Sequence, residues 1–155
     1  MSGRELVGLL VSILVSFVPA AVGGRFLPGE WYRALDKPPW TPPGWVFGPA
    51  WTLLYLSMGV AAWLVWRERL GQRALLPLAL FGAQLVLNGL WSWLFFGLRR
   101  PDLALADIVA LWLAIAATIV AFWGVRPVAG ALLLPYLAWV TFATALNADI
   151  WRRNG

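Results

Sequence analysis

Charged side chains are missing from long continuous stretches of this chain, and that spacing decides its fold class before any motif is considered. Residues 6–24, 38–66, 74–98 and 127–148 carry no charge, and 103–125 carries only Asp107. A helix needs about 20 mostly apolar residues to cross the hydrocarbon core of a bilayer, so five crossings fit. Charged residues make up 12% of the chain, against about 25% in an ordinary soluble domain. In lipid, every backbone amide must be satisfied within a helix or a closed barrel. A barrel needs short alternating strands, and these runs do not alternate. The sequence therefore predicts an all-α integral membrane protein, a five-transmembrane-helix bundle forming one membrane domain over residues 1–155. Helices are expected over about 5–25, 46–67, 74–98, 102–124 and 128–152, with a loop over 26–44. The first run is too long for a signal-peptide core and ends in Val22-Gly23-Gly24-Arg25, a poor cleavage site, so it reads as a retained helix.

Proline sets the breaks between these segments. The stretch Asp36-Lys37-Pro38-Pro39-Trp40-Thr41-Pro42-Pro43-Gly44-Trp45 is expected to be non-helical, because each proline removes a donor and restrains the residue before it. Rigid and aromatic, it reads as a folded lid. Pro49, Pro101 and Pro127 fall in the first turns of helices, where proline is tolerated. Pro135 lies inside the last segment and is expected to bend it or loosen its hydrogen-bond ladder.

The net charge of +5 suits loops that meet anionic headgroups. Scattered basic residues argue against nucleic acid. Five spans put Arg4, Arg67, Arg69, Arg73 and Arg126 on one face. The other face takes Arg25, Arg33, Lys37, Arg99, Arg100, Arg152 and Arg153. That bias is too small to orient the bundle by its positive charges. The chain has neither Cys nor His. This removes thiolate chemistry, Cys/His zinc sites, iron–sulfur clusters and histidine-based proton transfer.

Helical spacing gathers the remaining chemistry on three faces. Phe81, Gln84, Asn88, Trp91 and Phe95 share one; Tyr136, Trp139, Ala143 and Asn147 another; Trp51, Tyr55, Met58 and Ala62 a third. Amides at mid-membrane depth face the bundle interior, where they bond across helices or meet a ligand. Alone, Gln84 and Asn88 suit helix glue. With Trp51, Trp91 and Trp139 they form an aromatic box with polar handles, the usual makeup of a small-molecule site. The other tryptophans divide by position: Trp66, Trp123 and Trp151 suit interface anchors, and Trp31, Trp40 and Trp45 belong to the lid. The sequence does not place Trp63, Trp93 and Trp112. Asp107 is expected near the surface and hydrated, on a small-residue stripe with Ala110, Ala114 and Thr118 that suits close packing. Gly23, Gly24, Gly82 and Gly89 read as packing devices of the same kind, or as parts of a dimer interface.

Taken in order, these residues resemble a known family. The run from Trp31-Tyr32 through Lys37-Pro38-Pro39-Trp40-Thr41-Pro42-Pro43-Gly44-Trp45 to Gly48-Pro49-Ala50-Trp51-Thr52-Leu53-Leu54-Tyr55 is similar to the signature of the translocator protein family, whose bacterial members are called tryptophan-rich sensory proteins. Further matches are Gln84-Leu85, Asn88, Trp91, Phe95-Phe96-Gly97, Asp107, Pro135-Tyr136-Leu137-Ala138-Trp139 and Leu146-Asn147. The resemblance implies a multi-pass protein of a bacterial membrane, a homodimer that binds porphyrins, synthetic benzodiazepine-site ligands or, in some members, sterols. It implies a pocket beneath the first loop, between helices 1, 2, 3 and 5. Trp51 and Asn88 would donate hydrogen bonds to a ligand; Trp139 and Ala143 would form the wall; Tyr32 and Pro42 the lid. Gln84, Trp91 and Leu146 complete the expected contacts. No cofactor is required, and a porphyrin is the ligand rather than a catalyst. Ala148 stands where animal members carry the central Tyr of a proposed cholesterol motif.

The leading expectation is a sensor or carrier of tetrapyrroles or other hydrophobic molecules. One alternative is a light-dependent porphyrin-degrading enzyme, with Trp51 and Trp139 as redox partners of the excited ring. The other is a transporter of porphyrins or sterols, although one isolated acid and no inverted repeat fit alternating access poorly.

Overall fold

A computed structural model describes residues 1–68 and 74–155. Arg69 and Arg73, counted above among the charges of one face, lie outside the described residues. Among the described residues there are eight α-helical segments, α1 to α8, and all but the short one in the loop contribute to five apolar spans, at Gly3–Gly23, Gly44–Arg67, Leu75–Gly97, Pro101–Val125 and Pro127–Asn154. The chain is thus an integral multi-pass membrane protein.

The first span is two helices rather than the single one expected: α1 (Gly3–Ser16) and α2 (Val18–Gly23). At the start of α1, Ser2 and Glu5 close a reciprocal cap, with Glu5 N donating to Ser2 Oγ at 3.2 Å and Ser2 N to Glu5 Oε2 at 3.0 Å. Phe17 joins α1 to α2, and Pro19 sits at the start of α2. Proline has no amide hydrogen to continue the ladder, and its ring clashes with the preceding turn. The break redirects the chain: α1 packs on α4 (Phe47–Arg67), whereas α2 packs on α5 (Leu75–Ser92).

Two close approaches explain this course. A Cβ on Gly59 would lie 2.7 Å from Ile13 Cα, so only glycine lets α4 touch α1 backbone to backbone. Ser12 Oγ donates to the carbonyl of Gly59 at 2.7 Å across the same contact. On α2, Gly23 faces Ser92, while Gly89 of α5 faces Pro19. Gly82 has nothing within 4 Å, so it closes no contact between the described helices of this chain.

The loop over 26–44 is more ordered than expected. It contains α3 (Glu30–Ala34), and a 3₁₀ turn at Gly44–Val46 leads into α4. That turn corrects the expectation that Gly44 and Trp45 are non-helical: the prolines end at Pro43, leaving both residues free to wind. α5 runs into a π-helical turn at Trp93–Gly97, a local widening that re-aims side chains. Arg99 then takes a left-handed conformation (φ 56°), and Arg100 N reaches back to the carbonyl of Leu94 at 3.0 Å, closing the helix end. α6 (Pro101–Val125) begins with Pro101. The last span divides into α7 (Pro127–Leu132) and α8 (Leu134–Asn154), the interruption expected from Pro135.

The core lies along the inward faces of α4, α5, α6 and α8, where Met58, Val65, Ile115, Phe122 and Val140 are fully buried. A second cluster, around Phe95, Leu146 and Ile150, lies under the lid. The outward faces stay apolar, as a bilayer requires: Leu14, Leu53, Val86 and Val120 are all exposed.

Candidate functional site

Between the lid and the bundle lies a cavity of about 660 Å³, a size that suits a small organic ligand. Its walls come from the segments the prolines separate. Phe17 and Ala20 face it from the α1–α2 break, Trp51 and Tyr55 from α4, Asn88 and Trp91 from α5, and Trp139 and Ala143 from α8. Ile108 and Leu111 of α6 also line it, so the fourth span joins the wall. That corrects the four-helix pocket the resemblance implied.

Of the nine expected contacts, the structure brings eight to this cavity: Tyr32, Pro42, Trp51, Asn88, Trp91, Trp139, Ala143 and Leu146. Gln84 is not in the wall. It is buried behind Asn88, where Tyr136 Oη donates to its Oε1 at 2.7 Å. Gln84 and Asn88 share a face of α5, but one turn of helix sets Gln84 back from the wall that Asn88 joins.

Polar groups at the base form a continuous chain. Tyr55 Oη donates to Asn88 Oδ1 at 2.7 Å, Asn88 Nδ2 donates to Tyr136 Oη at 2.7 Å, and Tyr136 passes the chain to Gln84. This ties α4, α5 and α8 together and leaves Asn88 one N–H to spare. Nearby, Trp91 Nε1 donates to Asn147 Oδ1 at 2.9 Å, and Asn147 Nδ2 donates to the carbonyl of Pro101 at 2.9 Å. Trp91 is therefore committed, and it offers the cavity its ring face.

Trp51 and Trp139 differ from Trp91. Their rings meet edge to face at 6.3 Å, and Trp51 stacks on Tyr55 at 5.4 Å. Trp139 Nε1 is buried with no hydrogen-bond partner among the described residues. A buried indole N–H ordinarily finds one, so this donor stands ready for an acceptor from outside the chain.

The lid closes the other side. Trp31 and Tyr32 of α3 pack edge-on against Phe95 at 5.7 and 6.3 Å, and Trp40 against Phe142 at 5.7 Å. The π-helical turn presents Phe95 and Phe96 together to these rings. Partial burial pushes the Tyr32 phenol above its ordinary pKa. Lys37 Nζ donates to the carbonyls of Tyr32, Leu35 and Arg33 at 2.8, 3.3 and 3.5 Å, and lies 4.6 Å from the centre of the Tyr32 ring. A latch completes the closure: Asp36 N donates to Asn154 Oδ1 at 2.9 Å, and Asn154 Nδ2 to the carbonyl of Asp36 at 2.8 Å.

The remaining tryptophans separate by environment. Trp66, Trp123 and Trp151 are exposed at helix ends. Trp63 is buried, its Nε1 donating to the Glu5 carbonyl at 2.9 Å, and Trp112 donates to Thr141 Oγ1 at 2.8 Å, while Trp93 is exposed. Trp45 is 76% exposed and does not pin the lid. Asp107 corrects a further expectation: it is buried, and neither carboxylate oxygen has a hydrogen-bond partner among the described residues. Its position on α6 turns it into the bundle rather than toward the near interface.

Five apolar spans around a lidded, aromatic-walled cavity define a polytopic helical membrane protein with an internal pocket. The chain belongs to the TspO/MBR family, whose model matches residues 8–152. It is 49% identical to the human translocator protein over 138 residues, covering 86% of this chain and 82% of that protein. It is 47% identical over 137 residues to the tryptophan-rich sensory protein of Cereibacter sphaeroides, covering 88% and 84%. Protein CrtK of Rhodobacter capsulatus is 43% identical over 135 residues, covering 86% and 84%.

Proposed function

We propose that the cavity binds a flat hydrophobic ligand of the tetrapyrrole class, protoporphyrin being its representative, and that the protein acts as its sensor or carrier. The observation that carries this reading is the convergence of Trp51, Asn88 and Trp139 on one lidded cavity, with the buried Trp139 donor unpaired among the described residues. Indole faces offer stacking area to a macrocycle, and the few polar groups orient it. The name of the C. sphaeroides relative, a sensory protein, accords with this role.

The test is titration of intrinsic tryptophan fluorescence with protoporphyrin IX. Trp51→Phe with Trp139→Phe keeps aromatic area and removes both indole donors, so affinity should fall about tenfold, the equivalent of about one hydrogen bond. Unchanged affinity would reject this pocket.

A second reading, light-driven breakdown of the porphyrin, is favoured by the edge contact of Trp51 with Trp139 and the stacked Tyr55 phenol, a cluster of oxidisable rings against the cavity. Under illumination the porphyrin absorption band should then decay faster with the native protein than with the double Phe variant. Equal decay removes this reading.

A further inference from the structure

Asn147 joins the cavity wall from α8, yet its polar atoms are committed to two other spans. The side chain is buried. Its Oδ1 accepts from Trp91 of α5, and its Nδ2 donates to the carbonyl of Pro101 at the start of α6, each at 2.9 Å. One amide thus ties three spans beside the cavity. The two bonds differ in what they hold. Pro101 stands in the first turn of a long helix, where its carbonyl also takes the amide four residues on. The Trp91 indole has a single N–H, so Asn147 is the one group that fixes this ring by a hydrogen bond.

The angle of that ring is passed on. Trp91 stacks on Phe95 at 4.9 Å and 23°, and meets Phe96 edge to face at 5.6 Å and 90°. Phe95 and Phe96 in turn carry the lid: Trp31 and Tyr32 pack on Phe95, and Tyr32 packs on Phe96 at 5.5 Å. Stacked and edge-to-face contacts depend on orientation, so a turned Trp91 ring disturbs both at once. A continuous line of contacts therefore runs from Asn147 in the wall, through Trp91 and the Phe95–Phe96 pair, to the lid.

We infer that Asn147 is a positioning residue: it holds the Trp91 ring at the angle that seats the lid on Phe95 and Phe96, and so sets how long a ligand stays in the cavity. This rests on the tetrapyrrole reading above and adds to it a control on release. Asn147 acts through Trp91 rather than through the ligand, because its bonds are spent on Trp91 and Pro101. The seat holds the ligand only once the lid is down over it. The effect therefore falls on dissociation, the rate in which most changes of affinity reside.

Stopped-flow quenching of tryptophan fluorescence by protoporphyrin IX separates the two rates. Asn147→Leu keeps the shape of the side chain and removes both bonds. Dissociation should quicken about tenfold, the equivalent of about one hydrogen bond, while association stays constant. In a Trp91→Phe background, which has no indole N–H to hold, the same substitution should change dissociation by less than about twofold. If Asn147→Leu lowers thermal stability and leaves dissociation unchanged, Asn147 only ties helices together and the inference is overturned. An equal effect with and without Trp91 overturns it too. The native protein supplies a check that needs no folded Asn147 variant. Its Trp91 indole N–H, identified by the signal lost from the nitrogen–proton NMR spectrum of Trp91→Phe, should exchange slowly with solvent whether or not protoporphyrin is bound. Fast exchange would show that Asn147 does not hold the ring. If protoporphyrin fails to quench the native protein, the tetrapyrrole reading itself is lost and the control on release with it.

Discussion

The two ends of this bundle are built on opposite plans. Away from the lid, α1 and α4 meet through glycine. Gly59 sits against the Ile13 backbone, and Trp63 is held by the Glu5 carbonyl. Met58, Ala61 and Val65 have no exposure there. At the lid end α2 has left α4 for α5, and the space is walled by rings whose polar edges are only partly satisfied. Pro19 is the pivot between the plans. Close packing supplies stability, because even one extra methylene in a full core is felt. The lid end gives up that packing and keeps a cavity with directional groups on its wall.

The largest expected effect is at the closed end. Gly59→Leu drives a side chain into the backbone of α1 and should destabilise the protein by about 3 kcal/mol, the upper range for overpacking, read as loss of thermal stability in detergent. A variant as stable as the native protein would mean that α1 and α4 do not meet as described.

At the boundary, Asn88→Leu removes the link between Tyr55 and Tyr136. Stability should fall by about 1–2 kcal/mol, and protoporphyrin affinity should fall with it. Loss of stability alone would make Asn88 helix glue without a face on the site.

The smallest effect belongs to the lid. Asn154→Ala removes both bonds of the latch to Asp36, which lie at the exposed rim, and should lower stability by about 0.5 kcal/mol. Its signature is kinetic: protoporphyrin should dissociate a few-fold faster in stopped-flow quenching. An unchanged dissociation rate would show that the lid does not gate the cavity.

How much of this was legible in the sequence follows from the range of each signal. Gaps between charges are local and marked all five spans. Helical spacing is local too, and it set Trp51, Asn88 and Trp139 on inward faces. The break at Pro19 was hidden because Val18-Pro19 lies in an apolar run long enough to span without interruption. The helix at Glu30–Ala34 precedes the proline-rich stretch that dominated the reading of the lid. Ile108 and Leu111 carry no mark that separates a cavity wall from ordinary core. Asn154 and Asp36 lie 118 positions apart, and nothing near either residue announces their pairing. Gln84 was misplaced for a related reason: spacing gives the face of a helix but not the depth at which a cavity stops.

The central claim is that ligand occupies the lidded end, against α8. Because the chain has no cysteine, single substitutions give unique reporters. Ala143→Cys places a thiol in the cavity wall, and Ala145→Cys places one on the exposed face of the same helix. Protoporphyrin IX should slow thiol labelling at position 143 and leave labelling at position 145 unchanged. Equal rates at position 143 with and without the porphyrin, at concentrations that quench tryptophan fluorescence, would contradict the account.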